Sequence, residues 1–96
     1  MKIPKKLFDK AINYLTQIEA VIKAINELNG IEDNQQIFCH IKYSKKRLQF
    51  SRCFFEYNKC YQLNIYGVNS DEPEHRFKNK TPEELWVDVF KGFEVE

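Results

Sequence analysis

Between Ile37 and Gly67 apolar and polar residues alternate with period two through three runs: IFCHIKY, RLQFSRCFFEY and CYQLNIYG. Alternation of β-branched and aromatic residues with polar ones marks a half-buried strand. Short polar turns between the runs, Ser44-Lys45-Lys46-Arg47 and Tyr57-Asn58-Lys59-Cys60, make the arrangement an antiparallel meander. With turns of that length Tyr43 faces Leu48, Ile41 faces Phe50 and Cys39 faces Arg52. In the second hairpin Phe54 then faces Leu63, and Cys53 faces Asn64 rather than Cys60.

Both hairpins send one parity to the same side: Ile37, Cys39, Ile41, Tyr43, Leu48, Phe50, Phe54, Tyr61, Leu63 and Ile65. A slip of one residue would scatter this set, so the pattern holds the strands in phase. Arg52 is the exception within it. Either its stem lies on apolar surface with its head at the rim, which is the favoured reading, or it is turned inward and paired with a carboxylate. The opposite side carries Phe38, His40, Lys42, Arg47, Gln49, Ser51, Cys53, Phe55, Gln62, Asn64 and Tyr66. A face of aromatic and hydrogen-bonding residues is either covered by another element or is a contact surface.

Residues 4–28 carry the strongest helical signal. Pro4 suits a first turn and Gly30 a stop. Leu7, Ala11, Tyr14, Leu15, Ile18, Val21, Ile22, Ile25 and Leu28 form one broad apolar stripe, expected to pack on the sheet. Seven of these, from Leu7 through Ala11, Tyr14, Ile18, Val21 and Ile25 to Leu28, also alternate four-three as in a coiled coil. Ile12, Ala20 and Ala24 fall off the stripe, free to touch a partner. After the meander comes a polar loop in which His75-Arg76-Phe77-Lys78 is a candidate fourth strand at an edge. Thr81-Pro82-Glu83-Glu84 is a capping box for a helix over 82–91, whose apolar stripe is Leu85, Trp86, Val89 and Phe90. Gly92 and Phe93 suggest a Schellman end. The expected fold is a single α+β domain over residues 1–96, with a long N-terminal helix on one face of a three- or four-stranded antiparallel meander and a short C-terminal helix.

The chain is 43% hydrophobic and 15% aromatic, ample for one core in 96 residues and incompatible with disorder. A net charge of +1 gives no overall field for steering and excludes an acidic mimic of DNA. No apolar run approaches a membrane span, and three cysteines with no apolar leader read as reduced thiols in the cytoplasm.

Cys39, Cys53, Cys60, His40 and His75 match no paired-ligand metal spacing. Cys53 and His40 share the open face and would be the components of a thiol–imidazole nucleophile, but no glycine-rich turn accompanies them to hold an oxyanion. The expectation is therefore a protein without catalytic residues, metal or cofactor. The turn Ser44–Arg47 with Lys42 behind it is a local basic patch near aromatic side chains, a combination nucleic-acid binders use. The α-β-β-β-α order is similar to that of double-stranded-RNA-binding domains, a likeness of topology only. Those domains set a lysine cluster at the start of their last helix, where this chain has Thr81-Pro82-Glu83-Glu84.

Two functions follow. The first is a non-enzymatic protein-binding module, an inhibitor or adaptor, working through Phe38, His40, Gln49, Phe55, Asn64 and Tyr66. The second is an RNA- or DNA-binding domain using Lys42, Lys45, Lys46 and Arg47. A homodimer through the open sheet face or the N-terminal helix is compatible with the first.

Overall fold

In the computed structural model, which describes residues 2–32, 35–55 and 58–93, the order is α-β-β-β-β-α. The side chains of Phe55 and Asn58 lie outside that description. Helix α1 spans Lys5–Asn29, the strands are β1 (Gln36–Tyr43), β2 (Lys46–Phe55), β3 (Asn58–Tyr66) and β4 (Pro73–Asn79), and α2 spans Pro82–Gly92. The strands form one antiparallel sheet in chain order, β1-β2-β3-β4. The candidate strand at 75–78 is thus a full edge strand, and the topology departs from the three-stranded likeness.

Both helices pack on the same face. α1 lies over β1 and β2, and α2 over β3 and β4. Phe8, Ala11 and Leu15 from α1 meet Leu85 and Val89 from α2 above Leu48, Phe50, Leu63 and Ile65. Phe8 joins the layers, with its ring edge-on to Phe50 at 5.8 Å and 5.1 Å from Trp86. Ile3 and Phe93 close the core near the two ends of the described chain, where the Lys2 ammonium donates to the Phe90 carbonyl.

The parity of every strand is as the alternation requires, but the registers are not. Ser44 and Lys45 alone form the first turn, both with positive φ (49° and 61°). Tyr43 therefore faces Lys46, Ile41 faces Leu48 and Cys39 faces Phe50. That is two residues from the expected register. In the second hairpin the shift is four: Phe50 faces Leu63, Phe54 faces Lys59, and Cys53 stands directly opposite Cys60. Tyr57, placed in that turn by the sequence, lies outside the described residues.

Arg52 also differs from the favoured reading. Ile37 and Tyr61 flank it, and its Nε donates to Glu19 Oε1 at 2.6 Å, so the inward charge is paired. The guanidinium also lies 4.3 Å from the centre of the Tyr61 ring.

The α1 stripe is narrower than expected. Phe8, Ala11 and Leu15 are buried, and Ile12 packs against the core although the pattern placed it outside. Tyr14, Val21, Ile25 and Leu28 are exposed, Leu28 at 86%. A cylinder resting on a sheet buries a single narrow arc, and only the residues of that arc are removed from water. Gly30 at φ 66° ends α1, with its own amide bonded to the Glu27 carbonyl and the Ile31 amide to that of Asn26. The Schellman motif is therefore at this helix. The expected one at Gly92 does not form, because α2 continues through Gly92 to an extended Phe93. Phe93 is buried, while Phe90, counted in the α2 stripe, is 53% exposed. Thr81 caps α2 as expected, its hydroxyl accepting from the Glu84 amide at 3.2 Å.

Candidate functional site: the uncovered face of the sheet

Because both helices occupy one face, no described helix or strand packs on the other, although Ser51, Cys53 and Cys60 are buried within it. The registers set this face out in cross-strand rows. Gln36, Cys53 and Cys60 form one row, and Phe38, Ser51, Gln62 and Lys78 the next. His40, Gln49, Asn64 and Arg76 form a third, and Lys42, Arg47 and Tyr66 a fourth. The face thus grades from thiols at one end to guanidinium and ammonium groups at the other.

The third row with Tyr66 is the organised part. Gln49 Oε1 accepts from Asn64 Nδ2 at 3.2 Å and from the Tyr66 hydroxyl at 3.3 Å. Arg47 lies over the Tyr66 ring at 4.5 Å and donates to the Ser70 carbonyl. Phe38 stacks on His40 at 6.3 Å with 46% of its surface exposed. Of the six residues the sequence assigned to partner binding, His40, Gln49, Asn64 and Tyr66 come together, with Phe38 beside them. The corrected register places Phe55 four residues along β2 from Ser51, the partner of Phe38, so the expected Phe38–Phe55 neighbourhood does not form. The Phe55 side chain is outside the described residues.

The same shift separates Cys53 from His40, which face Gln36 and Gln49 respectively, and removes the thiol–imidazole arrangement. Cys53 and Cys60 are instead buried side by side. Burial raises the Cys53 thiol pKa, and the neighbouring Cys60 raises it further. Burial also raises that of Cys39. Thiols held protonated in this way are poor nucleophiles. All three cysteines are free. Among the described residues no group of three or more His, Cys, Asp or Glu side chains could hold a metal ion. Ser51 Oγ is buried with no hydrogen-bond partner among them.

The basic residues separate into two groups. Lys42, Lys45, Lys46 and Arg47 line a hollow of about 310 Å³ at the β1–β2 turn together with Tyr43, Ser44 and Val68. Lys46 is neutralised there by Glu74 at 2.7 Å. Arg76 and Lys78 bring charge to the face from β4, and sequence reasoning did not assign them. The alternation His75-Arg76-Phe77-Lys78 was the signal, since it turns Phe77 to the core and the two cations outward. The four strands together hold Lys42, Lys46, Arg47, Arg52, Lys59, Arg76 and Lys78 against Glu74 as their single carboxylate. The balanced total conceals a basic sheet, and since the two helices hold five basic and six acidic residues, most of the compensating charge lies outside both layers.

Comparison with protein-family models, with curated proteins and with solved structures returns no match to this chain. No helix among the described residues is long and apolar enough to cross a membrane.

Proposed function

We propose that this is a non-enzymatic protein-binding module, an inhibitor or adaptor, whose contact surface is the uncovered sheet face centred on His40, Gln49 and Asn64. The observation that carries this reading is the placement of both helices on one side, which leaves a half-exposed Phe38 beside a preorganised amide–phenol cluster. Interfaces combine aromatic anchors with hydrogen-bonding groups in this way. Lys42, Arg47, Arg76 and Lys78 around the cluster suit a partner with an acidic contact surface. Three free cysteines suit action in the cytoplasm.

The basic hollow at the β1–β2 turn favours a second reading, an RNA- or DNA-binding domain acting through Lys42, Lys45, Lys46 and Arg47. The two are separated by capture from source-cell lysate on immobilised protein, with and without nuclease, over a salt series. For a protein partner the captured species survives nuclease, responds weakly to salt, and is lost with Phe38→Ala, a truncation expected to cost about 1–2 kcal/mol of association. Neutralising Lys45, Lys46 and Arg47 together matters less. Loss on nuclease treatment, a steep fall with salt and abolition by the triple neutralisation would replace the first reading with the second.

A further inference from the structure

Two features the binding face does not use lie on the same side of the molecule. One is the apolar ridge of α1. Tyr14, Val21, Ile25 and Leu28 are 49%, 56%, 51% and 86% exposed, and Ile31 just past the helix is 58% exposed. Their direction is roughly a third of a turn around α1 from the buried Phe8 and Leu15. The flank of α1 facing α2 carries Lys5, Phe8, Asp9 and Ile12, which share a hollow with Pro82, Glu83, Trp86 and Val87. The ridge occupies the other flank, above the outer border of the sheet at β1.

The second feature is β1 itself, which is an edge strand. Its eight residues, QIFCHIKY, contain no proline and one lysine, and its pairing with β2 runs unbroken. Edge strands with exposed hydrogen-bonding groups are ordinarily blunted by proline, bulges or charge. The opposite edge is blunted in all three ways, with Pro73, a register shift at Ile65/Tyr66, and Glu74, Arg76 and Lys78. Among the described residues β1 has only Lys42 of these devices.

We infer that a second copy of this chain docks here, β1 against β1 and α1 against α1, about a two-fold axis perpendicular to the sheet. Such an axis makes both pairs antiparallel and requires each copy to present the same patch. The dimensions agree. Neighbouring strands lie about 4.8 Å apart, so a helix seated over β1 and β2 stands about 4.8 Å from the axis. The two α1 helices are then about 10 Å apart, the spacing at which helices pack. The four-three spacing of Tyr14, Val21, Ile25 and Leu28 is the pattern a helix presents to another helix. Antiparallel pairing sets Tyr14 against Leu28 and Val21 near its own counterpart. It also brings Lys10, near one end of α1, level with Glu32, just past the other. Neither has an ion-pair partner among the described residues. A parallel arrangement would place like charges together. The docked pair forms one eight-stranded sheet with its two uncovered faces on the same side, so any partner of that face meets a doubled surface.

Sedimentation velocity across a concentration series into the tens of micromolar tests this, together with amide hydrogen exchange. The expected result is a reversible dimer in which alternate β1 amides, those pointing away from β2, are protected. Val21→Glu with Leu28→Glu gives a monomer in which those amides exchange at least tenfold faster. Circular dichroism of that variant stays native because both positions are exposed. Asn64→Ala, in the sheet-face cluster but on β3 and away from the β1 edge, leaves the dimer unchanged, which keeps this test separate from that of the sheet face. The inference is overturned by a wild-type chain that stays monomeric throughout, by a dimer that survives the double substitution, or by a dimer whose β1 edge exchanges freely.

Discussion

Replacing Glu19 by Gln should cost about 2 kcal/mol, because it strips the counter-charge from a guanidinium that has little access to water. The Arg52 and Glu19 side chains are 11% and 13% exposed and meet at 2.6 Å. Exposed pairs contribute about 0.2–1 kcal/mol, and unpairing a fully buried charge costs about 3–5 kcal/mol. Two features place this pair between those limits. Arg52 keeps the Tyr61 ring and the Cys60 carbonyl at 3.5 Å, and the glutamine amide still offers an acceptor. Arg52→Leu should cost less, about 1–2 kcal/mol, since Glu19 retains Lys23 at 2.9 Å. Urea titration of both single variants and the double variant gives the coupling, expected at about 1 kcal/mol or more. The pH dependence has a definite sign. Burial raises the Glu19 pKa, but hydrogen bonds and attraction from Arg52 and Lys23 outweigh it and hold the carboxyl below its ordinary value. A depressed folded-state pKa contributes stability that is present above the unfolded pKa and lost as pH falls through the folded one. Wild type should therefore lose stability on acidification below the ordinary carboxylate range, and Glu19→Gln should lack that part of the slope. A single-variant cost under about 0.5 kcal/mol with no coupling would show the pair to be solvated and refute the reasoning.

Three further outcomes are expected. Phe50→Ala, at a fully buried ring against Phe8, should cost about 3–5 kcal/mol by urea titration, whereas a loss under about 1 kcal/mol would contradict its place in the core. Lys45→Gly should raise the unfolding free energy by up to about 1 kcal/mol, because φ of 61° is strained for lysine and free for glycine. Ser51→Ala should be neutral or stabilising by up to about 1 kcal/mol, since it removes a buried hydroxyl with no partner among the described residues.

The hydrophobic alternation made the faces legible but not the registers, for a physical reason. A slip of one residue exchanges the two sides of a strand, while slips of two or four leave every residue on its own side. The apolar pattern was therefore blind to the difference between a four-residue turn and the observed Ser44-Lys45 turn. The turn chemistry gave no help, because neither residue is the Asn or Gly that a doubly left-handed turn usually selects. The shift of two in the first hairpin drew Phe55 toward Phe38, and the separate shift of four in the second hid the Cys53–Cys60 juxtaposition. In α1 the same wide stripe served two surfaces, the core through Phe8, Ala11 and Leu15 and the outer ridge through Val21 and Leu28. One helix sequence cannot say where one surface ends and the other begins. The Arg52 pairing needed Glu19 from a distant segment, which only the docking angle of α1 could reveal.

The strand order β1-β2-β3-β4 has a kinetic consequence. Every strand pairs with its neighbour in the chain, so the sheet assembles by local zippering, with little loop-closure entropy opposing each step. Docking α1 is the non-local event, since Glu19 must find Arg52 and Phe8 must find Trp86 near the far end of the chain. Changes within the Ser44-Lys45 turn should then appear in the folding rate. Changes in the α1 contacts should appear in the unfolding rate, so the lifetime of the native molecule is governed by how firmly its first helix is held.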